Sequence, residues 1–339
     1  MAKPNMWREF LEWSPLRDAK HLSERGIMGM NRRNISYISR YNSRALFPLV
    51  DDKLKTKKLA LEHGVTVPEL IGVIGHQHEV HRIGELAKRA LSFCIKPAKG
   101  SGGKGILVIS RVENDVFFKS NNQALSLADL ERHISNILAG LFSLGGATDV
   151  AIVEKKIEVD ASLTPYSYEG VPDIRVIVFR GIPVMAMMRL SCSASKGKAN
   201  LHQGAIGVGL SVSGGNAVNA VRKDNTIYNH PDTGQNLLEL NLPSWERLLH
   251  LACECYDMTG LGYIGVDLVI DKNLGPMLLE LNARPGLSIQ IANNAGLLPR
   301  LKLVETIKYP EKQAVKERVA FAQKHFHAMP SARRPEVTV

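Results

Sequence analysis

At 339 residues, with 45% hydrophobic side chains and a mean hydropathy of −0.08, the chain can bury a large core in two or three modules. Four scattered cysteines (Cys94, Cys192, Cys253, Cys255) without a CxxC pair exclude a disulfide framework and a zinc site, and the lack of a signal-type or membrane-spanning apolar run predicts a cytoplasmic protein. The net charge of +10 sits at the ends: residues 1–50 and 300–339 each hold nine basic and four acidic side chains, so the body is balanced. That distribution argues against a nucleic-acid groove. It suits contact of the ends with an acidic protein or an anionic membrane surface, or simple solvation of terminal charge.

Residues 1–50 read as helical pieces. Met6, Trp7, Phe10 and Leu11 recur at helical spacing, and Ser14-Pro15 after Trp13 breaks the run. A lobe over 51–150 follows. It contains a helix from 51 to 64, a strand near Val65, a helix over 79–91, a strand Phe93-Cys94-Ile95-Lys96, a Gly-rich run, a strand Ile106-Leu107-Val108-Ile109, and a helix over 127–144 that stops at Gly145-Gly146. A second lobe over 151–305 begins with a hinge strand near Val150. Strands over 174–179 and 184–190 come next, then a small, polar run from Ser191 to Lys198 expected to be a mobile lid. Another extended stretch covers 204–213, and a helix over 245–258 is capped by Ser244 and stopped by Gly260. Residues 306–339 form a basic tail expected to be disordered across 330–335. The class is α+β.

Two apolar runs near the end carry the chemistry. Gly262-Tyr263-Ile264-Gly265-Val266-Asp267-Leu268-Val269-Ile270 reads as one strand, and the run ending Glu280-Leu281-Asn282-Ala283-Arg284-Pro285-Gly286 as its neighbour. Residues two apart in a strand share a face, so Glu280 and Asn282 project together, and Asp267 joins them across the turn Lys272-Asn273-Leu274-Gly275. Two carboxylates and an amide oxygen suit one or two Mg²⁺ ions, with Mn²⁺ as an alternative. A sheet-edge cluster of these groups buried without a cation would be costly. Upstream, in Pro97-Ala98-Lys99-Gly100-Ser101-Gly102-Gly103-Lys104-Gly105, the backbone N–H groups of Ser101, Gly102 and Gly103 can approach phosphate oxygens closely, and Lys104 adds positive charge. The GxxxxGK[ST] spacing is absent and a strand follows, which excludes a P-loop. A metal-type cluster joined to a phosphate-type turn calls for a nucleotide rather than a solvent-exposed hairpin.

These blocks, in this order, resemble the ATP-grasp carboxylate–amine ligases, most closely the RimK-type α-L-glutamate ligases, from about residue 51 to 301. The resemblance implies two α+β lobes with the nucleotide between them; before the first lysine that family carries a whole α/β domain, where this chain has only the short helical segment. It makes Lys53, at the start of the first helix, the first phosphate-binding lysine, and Lys96, on the strand before the glycines, the second. Ile152-Val153-Glu154-Lys155-Lys156-Ile157 is similar to the family's hinge, so Glu154, Lys155 and Ile157 would frame the adenine and Asp160 or Glu158 the ribose. Asp173-Ile174-Arg175-Val176 is similar to a block of the glutamate ligases, and Arg189 with Asn200-Leu201-His202-Gln203-Gly204 to the family's arginine and its Asn-x-x-x-Gly loop. Asp267, Glu280 and Asn282 fall where the family places its Mg²⁺ ligands. The segments Met28-Gly29-Met30-Asn31-Arg32-Arg33-Asn34 and Arg40-Tyr41-Asn42-Ser43-Arg44 have no counterpart in it.

The implied reaction is amide or peptide bond formation between a small-molecule or peptide carboxylate and an amine, through an acyl phosphate. Arg189 and Arg175 would stabilise the transferring phosphoryl group, Asn200 would fix Arg189 or contact the intermediate, and Arg284 would hold the substrate carboxylate. Structural alternatives stand beside these roles: Arg175 pairing with Asp173 or Glu169, Arg284 bracing its turn, Glu154 as a solvated strand-edge carboxylate. The functional alternatives are phosphotransfer to a hydroxyl and a nucleotide-binding scaffold with a membrane or protein partner.

Overall fold

The computed structural model describes residues 20, 22–100, 102–223 and 225–327. The Met6–Leu11 stripe, the break at Trp13, Ser101 and the tail over 330–335 lie outside them. Among the described residues, four helices have ten residues or more: α1 (Lys53–Glu62), α2 (Leu127–Leu138), α3 (Trp245–Thr259) and α4 (Val315–His325). No helix among them is long and apolar enough to cross a membrane.

The first lobe holds β1 (Leu70–Ile74), β2 (Phe93–Pro97), β3 (Leu107–Ile109), a small meander of β4 (Arg111–Glu113), β5 (Val116–Phe118) and β6 (Ala124–Leu125), and β7 (Ala151–Lys155). Its main sheet is antiparallel, in the order β1-β7-β2-β3. Helix α2 lays Leu130, Ile134, Ile137 and Leu138, spaced for one helical face, into the core beneath that sheet. Its start is fixed by a reciprocal pair: Asp129 N–H donates to Ser126 Oγ (3.2 Å) and Ser126 N–H to Asp129 Oδ2 (2.8 Å).

The second lobe is a seven-stranded antiparallel sheet of β8 (Asp173–Phe179), β9 (Ile182–Leu190), β10 (Ile206–Leu210), β11 (Ala217–Arg222), β12 (Asn225–Thr226), β13 (Tyr263–Asp271) and β14 (Gly275–Asn282). The spatial order is β12-β11-β10-β9-β8-β13-β14. β8 and β13 are buried along their whole length, which is why both read as near-continuous apolar runs. The β13–β14 turn is set by Asp271, whose Oδ1 accepts from the N–H groups of Asn273 (2.9 Å) and Leu274 (3.0 Å).

Both expected lobe boundaries move. The boundary at 151 falls one strand early, because β7 pairs with β1 and β2 inside the first sheet. The boundary at 51 falls too early as well: Met28, Tyr37, Ile38, Val50, Ala60 and Val65 all join the core of the second lobe, so α1 and the chain before it pack there. Val65 is in a loop, and the first strand starts at Leu70. The helix expected over 79–91 is a 3₁₀ turn (Gln77–Arg82) followed by a short helix (Ile83–Ala87). Ser244 precedes α3 but makes no side-chain cap bond, its backbone being left-handed at φ +55°.

Residues 28–34 and 40–44 are built into the second lobe through buried amides. Asn42 Nδ2 donates to the carbonyls of Tyr263 (2.7 Å) and Ala283 (3.3 Å), and its Oδ1 accepts from Tyr263 N–H (2.8 Å). One side chain thus replaces a strand partner at the start of β13 and the end of β14. Gly262 sits against this clamp, and a Cβ there would lie 2.8 Å from the Tyr41 carbonyl oxygen. Gln290 repeats the device with Met28, accepting from Met28 N–H (2.8 Å) and donating to its carbonyl (3.1 Å). Arg33 Nη1 donates to the Pro285 carbonyl (2.8 Å). Asn42→Leu, which strands these backbone groups in the core, is expected to lower unfolding free energy by about 2–3 kcal/mol, read from urea denaturation.

Candidate active site

A cleft of about 970 Å³ runs between the two sheets. Lys96, Ile106, Val108 and the hinge residues Glu154–Val159 line it from the first lobe, and Asp173, Arg175, Met187, Arg189, Leu279, Glu280 and Asn282 from the second. The strand register explains the second set. Met187, Arg175, Asp267 and Glu280 stand side by side across β9, β8, β13 and β14, and Asp173 opposes Arg189. With a period of two, Asn282 falls on the same face.

Asp267 is wholly buried at the centre of that row. Arg175 grips it through Nε (2.7 Å) and Nη2 (2.5 Å), and Arg189 Nη2 adds a third bond (2.7 Å). Arg189 also pairs with Asp173. Burial opposes ionisation of Asp267, but the two guanidinium groups override it and hold the carboxyl down at about 2, against an ordinary 3.8. Burial, with Asp267 beside it, raises Asp173 to about 7 against the pull of Arg189.

On the other side, α1 delivers two lysines from successive turns. Lys53 Nζ donates to the Gly100 carbonyl (2.6 Å) and lies 3.7 Å from Glu280 Oε2. Lys57 Nζ lies 2.7 Å from Glu154 Oε1, while Lys96 Nζ lies 2.6 Å from Glu154 Oε2. The Gly-rich turn is tied at its base: Lys53 N–H donates to Ala98 O (2.8 Å), and Lys99 N–H to Asp149 Oδ2 (3.0 Å). Gly102 (φ +61°) and Gly103 (φ +72°) adopt the left-handed backbone that glycine tolerates, and both line the cleft.

The expected lid is bonded down at its base. Ser191 Oγ donates to Tyr168 O (2.7 Å), Ser193 N–H to Asp232 Oδ2 (2.8 Å), and Cys192 N–H to Ser195 Oγ (3.0 Å). His230 Nδ1 accepts from the N–H groups of Asp232 (3.2 Å) and Thr233 (3.3 Å), so its proton is on Nε2, which donates to Ser191 O (3.0 Å). Of the expected lid only its end, 196–198, borders the cleft, together with the following residues 199–202. Cys94 also borders it; burial pushes its thiol up to about 12 against the pull of Lys96, so it is no thiolate nucleophile at neutral pH.

The model of one family, described as sugar-transfer associated ATP-grasp, matches residues 32–306. The chain belongs to this family. Its fold is therefore ATP-grasp, as the motif order implied. No protein of curated function matches the sequence. Among solved structures, the chain is similar to the ATP-grasp ligase PsnB complexed with minimal precursor, at 14% identity and a TM-score of 0.44, covering 77% of this chain and 60% of that one. It is also similar to the D-cycloserine synthetase DcsG (17%, 0.45, 79% and 74%). A third is D-alanine–D-alanine ligase from Bacillus anthracis complexed with ATP (15%, 0.41, 82% and 68%). The chain spans 60% of the length of the first of these.

Within this ATP-grasp cleft the expected site residues part company. Lys96, Gly102, Gly103, Glu154, Lys155, Ile157, Arg175, Arg189, Asn200, Glu280 and Asn282 line it. Asn200 uses its Oδ1 on His202 N–H (3.0 Å), capping a turn rather than touching Arg189. Arg175 pairs with Asp267 and not with Asp173 or Glu169. Glu154 is neither a solvated edge group nor free to meet adenine through its side chain, because two buried lysines hold its carboxylate. Asp160 is outside the cleft and caps a 3₁₀ turn through Ser162 N–H (2.9 Å); Glu158 is the acid at that wall. Arg284 turns away to Asp51 (3.2 Å) and the Phe47 ring, and exposed Lys104 does not line the cleft. Lys57 was not singled out from the sequence, although its place four residues after Lys53 on a helix puts it on the same face.

Among the described residues, no three His, Cys, Asp or Glu side chains form a ready metal cage. The donor set is Glu280 and Asn282 at the cleft surface, with Asp267 beside them beneath the arginines. Asp267→Asn removes the shared acceptor of two buried cations and is expected to lower unfolding free energy by about 3 kcal/mol at pH 7 in urea denaturation. Because folding depresses the Asp267 pKa, its contribution is present above about pH 4 and lost as pH falls towards 2, so wild type and variant should converge across that window.

Proposed function

We propose that the protein is an ATP-dependent carboxylate–amine ligase that forms an amide or peptide bond through an acyl phosphate, with an amino acid or peptide among its substrates. The observation that carries this reading is the meeting of Lys53 and Glu280, both on second-lobe elements and 3.7 Å apart, with Lys96 of the first sheet lining the same narrow pocket. Two lysines and a hard carboxylate oxygen converge there, as a metal-bound triphosphate requires.

Lys96 and Lys53 would bind phosphate oxygens, and the backbone N–H groups of Gly102 and Gly103 would close over them. The hinge from Lys155 to Glu158 would border the adenosine. Glu280 and Asn282 fit Mg²⁺ by donor chemistry, while both oxygens of buried Asp267 are taken by Arg175 and Arg189; when bound, Mg²⁺ would supply neutralisation of phosphate charge. Arg175 and Arg189 are oriented by Asp267 and Asp173 through Nε and Nη2, and both line the cleft, where they would hold the substrate carboxylate and the acyl phosphate. That orientation matters because guanidinium groups fixed before the reaction stabilise developing charge without reorganising. The block Asp173-Ile174-Arg175-Val176 supports a glutamate-ligase-like specificity. The family's association with sugar transfer adds sugar acids and amino sugars to the candidates. The basic ends are proposed to contact an acidic protein or an anionic membrane surface.

The test is a screen of acids paired with amines for ADP and phosphate release. Release should require both partners, and Glu280→Ala should reduce it by about a hundredfold or more. A stable phosphorylated product formed without an amine would mean transfer to a hydroxyl instead.

A further inference from the structure

We propose that Lys57 is a positioning residue for nucleotide binding: it neutralises Glu154 so that the Lys96 ammonium stays available to phosphate oxygens. The inference rests on the reading of the cleft as an ATP site.

The three groups form a closed, buried set. The side chains of Lys57, Glu154 and Lys96 are 5%, 4% and 8% exposed. Each oxygen of the Glu154 carboxylate faces one lysine, Lys57 at 2.7 Å and Lys96 at 2.6 Å. Lys57 also donates to the Pro68 carbonyl. Two cations thus share one anion, leaving one positive charge. Only Lys96 and Glu154 of the set line the cleft, so that surplus charge is presented to the nucleotide through Lys96. Lys57 reaches only the narrow pocket where Lys53, Lys96 and Glu280 also meet, and there its ammonium is taken up by Glu154 and the Pro68 carbonyl.

Without Lys57, Lys96 and Glu154 would be a neutral buried pair. A phosphate would then have to draw the ammonium away from a carboxylate left with no other cation beside it, a heavy penalty in a poorly solvated site. With Lys57 present, Glu154 keeps a partner when Lys96 turns to phosphate. Burial pulls the Lys57 ammonium below its ordinary pKa and Glu154 pushes it back up, in keeping with a cation whose purpose is that carboxylate. Helix α1 supplies both charges: Lys53 reaches Glu280 of the second sheet, and Lys57, one turn on, reaches Glu154 of the first.

The experiment is isothermal titration of the full chain with adenosine and with ATP plus Mg²⁺. Lys57→Met should weaken ATP about tenfold and leave adenosine within about twofold, since only phosphate competes for Lys96. Adding Glu154→Gln to Lys57→Met should restore wild-type ATP affinity. Glu154→Gln alone should bind ATP at least as tightly as wild type, which keeps the test alive should Lys57→Met unfold. Equal losses for adenosine and ATP, no loss of ATP affinity in Lys57→Met, no rescue in a double variant with a wild-type melting profile, or weakened ATP binding by Glu154→Gln would each overturn the proposal. A wild-type chain that binds adenosine but gains nothing from the phosphates would overturn the nucleotide reading itself, and this inference with it.

Discussion

Everything on the floor of the cleft depends on how charge is kept inside the second sheet. Asp267 is wholly buried and ionised because Arg175 and Arg189 converge on it from two strands. A buried ion pair commonly contributes less stability than a packed apolar pair of the same size. What the arrangement supplies here is orientation. The carboxylates of Asp267 and Asp173 hold two guanidinium planes in fixed attitudes at the edge of the cleft, and the strand register sets Glu280 and Asn282 beside them.

The same arrangement recurs on the opposite wall. There one buried carboxylate, Glu154, is shared by two lysines, where at Asp267 one carboxylate is shared by two arginines. The difference lies in what each cluster leaves over. Asp173 faces the second arginine, whereas the lysine cluster keeps a surplus positive charge. Helix α1 connects the two, since Lys53 and Lys57 stand on one face and contact one sheet each. Its position is set locally by the Asp52 cap, whose Oδ1 accepts from Leu54 N–H (3.0 Å) and Lys55 N–H (3.2 Å), and by the bond from Lys53 N–H to Ala98 O.

Much of this was legible from residue order. Alternation placed Glu280 and Asn282 on one face of β14 with Asp267 across the turn, because a period of two is a local property of the backbone. The glycine turn and its flanking strands were legible for the same reason. What escaped were the partners. Nothing near Glu154 in the chain announces that Lys57, ninety-seven positions earlier, will claim one of its oxygens. Arg284 follows the Glu280/Asn282 pair closely in sequence, yet Asn282 Oδ1 accepts its N–H (2.9 Å) and the turn sends its side chain to Asp51. Asp160 looked like a cleft residue by proximity to the hinge, but a Ser two places on made it a cap. The lobe boundaries moved because sheet membership is decided by pairing over long separations, and β7 found its partners upstream.

The amide clamps at Asn42 and Gln290 have a consequence for how the chain is born. Asn42 meets Tyr263 across 221 positions, and Met28 meets Gln290 across 262. During translation at roughly 5–20 residues per second, the early segment must therefore wait on the order of 10–50 seconds before its partners leave the ribosome. Through that interval Met28, Tyr37 and Ile38 have no second-lobe core to enter. The first sheet, whose strands lie between residues 70 and 155, can meanwhile close behind them as an earlier folding unit.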